Sequence, residues 1–181
     1  MKIATQVQPA LQELAQHLDG LRIAMLTLRE SDGQLSSRPM TPQEMDAQGA
    51  IWIMLSHGST TQAIGEGHDE VNLAFSDERH AAYISISGRA TVVQDTARKQ
   101  ALWTLMARPW FPGGPEDPSL LLLRVQPHRA EVWDGPASST ARVLALAASV
   151  VAGEPLGLGK HAAFDIPPSV VAGAAVAAGA G

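Results

Sequence analysis

Apolar residues recur at helical spacing from Gln8 to Leu18, where Ala10, Leu11, Leu14, Ala15 and Leu18 share one face. Pro9 suits a first turn and Gly20 a stop, so the pattern predicts an amphipathic helix. The segment "LRIAMLTLRESDGQLSSRPMTP" then predicts a strand, an Asp32-Gly33 turn and a second strand. Ala50 to Leu55 is apolar at every position, the pattern of a strand covered on both faces. A short helix is expected from about Thr60, curtailed by Gly65 and Gly67, followed by a strand over Val71 to Ser76. From Ala81 to Val92 the period becomes two. Ala82, Ile84, Ile86, Ala90 and Val92 lie on one face, with Gly88 placed as a bulge or close-approach point.

Asp95 is a good N-cap for a helix whose apolar stripe runs through Ala97, Ala101, Leu102, Leu105 and Met106 and stops before Pro109. The loop "RPWFPGGPEDP" follows, with Trp110 and Phe111 side by side in a segment whose prolines and glycines forbid a helix or an inner strand. Large rings on a loop need cover from the core, a ligand or a second subunit. "SLLLLRV" and "RAEVWD" predict two strands separated by Gln126-Pro127-His128. A last helix is expected from about Ser139, with Val143, Leu144, Ala147, Val150 and Val151 on one side and Gly153 near its end. Six or so strands and three or four helices predict a mainly β fold, an antiparallel barrel with flanking helices. The composition changes at Pro167, so residues 1–166 are read as one domain and 167–181 as an Ala/Gly-rich disordered tail.

Composition removes several classes of function. The chain of 181 residues has no Cys, which excludes disulfides, zinc–thiolate sites and cysteine nucleophiles. A net charge of −5 with no Lys/Arg cluster argues against nucleic-acid binding. The N-terminal segment lacks the apolar core of a signal peptide, and the Ala/Gly-rich end is too weakly apolar to span a membrane; a cytoplasmic protein with no membrane partner is expected. The six His show no metal-ligand spacing, so no metal site is expected. No nucleophile elbow, phosphate-cradling Gly loop or paired-carboxylate signature is present, and the catalytic residues stay unknown.

Two segments carry candidate chemistry. Arg38, followed by Pro39 and Met40 on the second hairpin strand, offers a planar fork of donors that matches phosphate oxygens. Taken alone, such an Arg reads as a surface residue more often than as a ligand. Ser56, Ser59, Thr60 and Thr61 cluster after the all-apolar strand at a helix start, where hydroxyls and free N–H groups make either an anion seat or a plain cap. Among the four Trp, Trp52 and Trp103 have core contexts, whereas Trp110 and Trp133 are placed for ring contacts or rim packing.

Taken in order, "DGQLSSRPM", "AIWIMLSHGSTTQ", "VNLAFSD", "YISISGRATVVQD" and "LWTLMARPWFPGGPEDPSLLLLRVQPHRAEVWD" resemble the pyridoxamine 5′-phosphate oxidase-like general stress protein family, from about Leu11 to His161. The resemblance implies an FMN-binding split β-barrel, homodimeric, with two flavin sites at the subunit interface. It places Arg38 at the flavin phosphate, Pro39 and Met40 along the ring, and Ser59-Thr60-Thr61 at the family's second phosphate element, with Ser56 just upstream. The Lys of that element is here Thr61, and a Thr of the preceding strand is here Leu55. Both departures remove groups that bond phosphate strongly. Trp133 matches a Trp that reaches the flavin of the opposite subunit, and the Trp110 loop is expected as a lid or dimer contact. The tail that grips the substrate in true pyridoxamine-phosphate oxidases has no counterpart in "GPASSTARVLALAA". The resemblance thus implies FMN, or FAD, as cofactor, a small-molecule redox partner of unknown identity, and either a flavin-dependent oxidoreductase or a non-catalytic stress-associated dimer or small-ligand sensor that has lost tight flavin binding.

Overall fold

The computed structural model describes residues 1–58, 61, 64, 69–78, 80–135, 139–153 and 160–167. Its chain order is β1 (Lys2–Ile3), α1 (Pro9–Leu18), β2 (Ala24–Arg29), β3 (Leu35–Met40), β4 (Pro42–Met45), β5 (Ile51–Ser56), β6 (Asp69–Asp77), β7 (Ala82–Val93), α2 (Thr96–Leu102), β8 (Leu120–Asp134), α3 (Ser139–Ala152) and β9 (Lys160–Asp165). The strands form one curled sheet in the order β1-β4-β5-β8-β7-β6-β2-β3, with β9 also on β8. Every pairing is antiparallel except the short β1–β4 contact. This is a split β-barrel, mainly β with α1, α2 and α3 flanking the sheet among the described residues, as the sequence pattern and the resemblance predict.

The apolar periodicities explain the packing. Leu11, Leu14 and Leu18 of α1 plug the concave side of the sheet against Leu26, Ile53, Leu73, Ile86 and Leu123. On β5, Ile51, Ile53 and Leu55 face that core, while Ala50 and Trp52 join Leu102 of α2 and Leu122 in a second cluster on the other side. The uninterrupted apolar run is therefore the sequence of a strand buried twice. Trp52 is fixed there by its indole N–H, which donates to Asp46 Oδ2 at 2.7 Å, and by the Arg98 guanidinium 4.6 Å from its ring centroid. The hairpin forms where the Asp32-Gly33 signal lies, but it closes over three residues: Glu30 N–H donates to Gln34 O, and Gly33 takes a φ of +86°. At Gly88 the β7–β8 register shifts, and a Cβ built there would stand 2.7 Å from Gln126 O, so the bulge and the close approach coincide.

Three expectations are corrected. The strands number nine among the described residues, because β1, β4 and β9 were too short or too weakly patterned to read. "SLLLLRV" and "RAEVWD" form one continuous strand; Pro127 sits opposite Gly88 at the bulge, where its missing N–H interrupts nothing. The helix after Asp95 ends at Leu102 because the chain turns extended at Trp103. Leu105 and Met106 then enter a 3-10 turn and stay largely exposed. Helix α3 forms where it was expected, and its apolar Val143, Leu144, Val150 and Val151 are all exposed. The short helix expected from Thr60, and the tail beyond Pro167, lie mostly or wholly outside the described residues.

Candidate functional site

A cleft of about 530 Å³ opens where the end of β3, the end of β5 and the aromatic loop meet. β3 is the last strand of the sheet, and an edge strand tolerates Pro39 because one row of its backbone groups lacks a partner strand. Pro39, Met40, Thr41 and Gln43 form one wall, and Met54, Leu55 and Ser56 the floor. Thr104, Met106, Ala107, Trp110 and Phe111 close the far side. The wall materials are mainly thioether, aliphatic and aromatic, with hydroxyl and amide groups at Thr41, Gln43, Ser56 and Thr104. No Lys, Arg, His, Asp or Glu is among the described residues that line it.

The aromatic loop answers for its two rings differently. Phe111 is 5% exposed and inserted into the protein, whereas Trp110 is 72% exposed at the cleft's edge. The N–H groups of both residues donate to Ala107 O at 3.1 Å, which ties the ring pair to the 3-10 turn Leu105–Ala107. The other end of the loop is held by the buried carboxylate of Asp117. It accepts from Ser119 Oγ at 2.6 Å, Gly113 N–H at 2.9 Å and Ser119 N–H at 3.0 Å. The Ser119 hydroxyl, then these backbone N–H groups, hold the Asp117 carboxyl below its ordinary value. A lowered carboxyl contributes stability that is complete above its ordinary range and lost as pH falls through the lowered value. The urea midpoint is therefore expected to drop as pH is taken below about 4, and Asp117→Asn should flatten part of that drop. Glu70 and Glu131, held low chiefly by His128 and by Arg129 respectively, contribute to the same drop.

Six of the residues singled out in the sequence converge on the cleft: Pro39, Met40, Leu55, Ser56, Trp110 and Phe111. Arg38 lies beside it. In the β2–β3 ladder Ser36, Arg38 and Met40 stand opposite buried Leu28, Leu26 and Ala24, so all three side chains share the inner face. Met40 reaches the cleft from that row, and Arg38 is one step back along it. Its guanidinium forms an ion pair with Glu30, whose Oε1 also accepts from Ser36 Oγ at 2.5 Å. Thr61 uses its hydroxyl locally, donating to Gly58 O at 2.8 Å and accepting Gly58 N–H at 3.0 Å. Ser59 and Thr60 lie outside the described residues.

Trp133 stands apart from this cleft. It pairs across the outer face of the sheet with Tyr83 on β7 and His161 on β9, and stacks on the His161 ring at a centroid distance of 5.0 Å. Tyr83 and Trp133 are 47% and 40% exposed, so the three rings form an open aromatic row. Sequence reading missed Thr41, Gln43, Met54, Thr104, Met106 and Ala107 as cleft residues.

Among the described residues, no helix is long and apolar enough to cross a membrane, and no group of three or more His, Asp or Glu is arranged to hold a metal ion.

Similarity to known proteins follows the same segments. The protein bli-3 of Neurospora crassa is 24% identical over 160 residues, covering 82% of this chain and 76% of that protein. A crystal structure of a general stress protein 26 from Jannaschia sp. CCS1 superposes with a TM-score of 0.67 at 24% identity, covering 83% of this chain and 94% of the other. The general stress FMN/FAD binding protein of Xanthomonas citri is 32% identical with a TM-score of 0.59, covering 70% and 90%. The family model described as pyridoxamine 5′-phosphate oxidase like matches residues 9–156. With that match spanning most of the chain, from α1 through α3, the protein belongs to the pyridoxamine 5′-phosphate oxidase-like family.

Proposed function

We propose that this chain is a flavin-binding general stress protein of the cytoplasm, a homodimer that takes FMN in the cleft beside Trp110 and does not oxidise pyridoxamine 5′-phosphate. The observation that carries the reading is the cleft itself, whose volume and apolar lining suit a small-molecule site. Its residues fit the group in two parts. Met40, Met54, Phe111 and Trp110 offer apolar and aromatic surface to a flat ring system, and Thr41, Gln43 and Ser56 offer donors and acceptors to its polar edge. Arg38, one step along the inner row of β3, is the cation for the phosphate. FAD would use the same ring surface. A bound flavin supplies the redox chemistry, and its small-molecule partner is unidentified. The chain's own contribution is position and exclusion of water, since no titratable side chain is among the described cleft residues.

The homodimer is supported by apolar surface that one chain leaves open: the α3 stripe, Leu105, Met106 and Trp110, and the Tyr83–Trp133–His161 row. Apolar exposure on this scale is characteristic of association surfaces. Sedimentation equilibrium is expected to give a dimer, and Val150→Asp to weaken it about tenfold or more. A second reading, a non-catalytic dimer or sensor without tight flavin binding, is favoured by one observation: Arg38 is already paired with Glu30, and Thr61 already bonds Gly58. Visible absorbance of the purified protein separates the two. Flavin that co-purifies, is released on denaturation and is lost in Arg38→Ala supports the first reading. A colourless protein that fails to take up FMN supports the second.

A further inference from the structure

Glu30 and Arg38 share one face of the same hairpin, Glu30 at the turn and Arg38 midway along the ladder opposite Leu26. Glu30 follows the last residue of β2, its N–H closing the turn on Gln34 O, and its side chain reaches along the inner row to Ser36 and Arg38. One carboxylate oxygen thus takes both a hydroxyl proton from Ser36 and the charge-assisted contact from Arg38. A phosphate monoester presents the same chemistry to a guanidinium: planar pairs of anionic oxygens that accept two N–H groups. Both partners are only about three-quarters buried, with side chains 26% and 23% exposed, so Glu30 has room to swing outward.

We infer that Glu30 is a built-in competitor for the anion site on Arg38, so that a phosphate-bearing ligand binds only by displacing it. The inference rests on the reading of the cleft as a flavin site and adds a determinant of which flavin it prefers. An uncharged ring ligand gains the cleft's apolar surface without disturbing the pair. A phosphorylated one gains Arg38 but must break the Arg38–Glu30 contact and expel a like charge from its neighbourhood. The wild-type chain should therefore discriminate weakly between FMN and riboflavin, and the discrimination should widen when the charge on residue 30 is removed.

The experiment titrates cofactor-free wild type, Glu30→Gln, Glu30→Ala and Arg38→Ala with FMN and with riboflavin, following flavin fluorescence. Thermal melts establish that each variant is folded. Gln keeps an acceptor for Ser36 while removing the charge. Glu30→Gln and Glu30→Ala are expected to tighten FMN about three- to tenfold, the range of a partly exposed ion pair, and to leave riboflavin unchanged. If both loosen FMN, Glu30 positions Arg38 and the competition is overturned. Unchanged FMN affinity in both variants, alongside weakening in Arg38→Ala, overturns it equally while leaving the flavin reading in place. If neither flavin binds any of the four proteins, the flavin reading itself fails and takes this inference with it.

Discussion

Replacing Phe111 with Ala is expected to cost about 3–5 kcal/mol of folding stability and to lower the melting temperature by about 10 °C. The ring is 5% exposed, although it lies in a loop crowded with prolines and glycines. It lines the cleft together with Met54 and Leu55 of β5, and its backbone closes the turns around it: its N–H donates to Ala107 O, and its own carbonyl accepts Gly114 N–H at 3.0 Å. Without the ring, those turns remain tied together but no longer bound to the sheet, and the far wall of the cleft loses its support. Trp110 gives the contrasting result. Being 72% exposed, it should change stability by no more than about 0.5 kcal/mol on truncation to Ala, because surface substitutions away from special features seldom exceed that. A calorimetric comparison of the two variants checks the assignment of one ring to structure and the other to contact.

The second large effect is expected at Ala107. This residue is half-buried in the 3-10 turn and lines the cleft opposite the end of β5. Ala107→Trp directs an indole into the space that the flavin reading assigns to the ring system. Ligand affinity should fall by about a hundredfold or more, because a filled cleft forfeits most of the buried apolar surface on which binding depends. Stability should stay within about 1–2 kcal/mol of wild type, since the new side chain enters an open cleft rather than a packed core. Paired titration and melting data distinguish this outcome from general disruption. Lost affinity with an intact melt fits the cleft as the site, and retained affinity places the ligand elsewhere.

The parts of the fold that were legible in the sequence are those in which local pattern and tertiary environment agree. The period-two stretch from Ala82 became β7, the all-apolar Ile51–Leu55 run became a strand buried on both faces, and Gly88 became a bulge. Where they disagree, the pattern misled. Leu105 and Met106 continue a helical stripe, but the chain leaves the helix at Trp103 and presents Met106 to the cleft. Pro127 looks like a strand break until Gly88 is found across from it. The cleft was legible through Pro39, Met40, Leu55, Ser56, Trp110 and Phe111, which sit in recognisable segments. Met54, Thr104 and Ala107 join them because the loop folds back, a long-range event without a local signature. The Arg38–Glu30 pair was hidden for the same reason: eight residues separate the partners, and only the hairpin register brings them onto one face.

The measurement that bears most directly on the account is an equilibrium titration of the cofactor-free protein with FMN, read by quenching of flavin fluorescence as the ring stacks beside Trp110. The account predicts saturation at one flavin per subunit and loss of the quench in Ala107→Trp. An absence of saturable binding up to about 100 μM FMN, a concentration corresponding to less than about 5.5 kcal/mol of affinity, would contradict it.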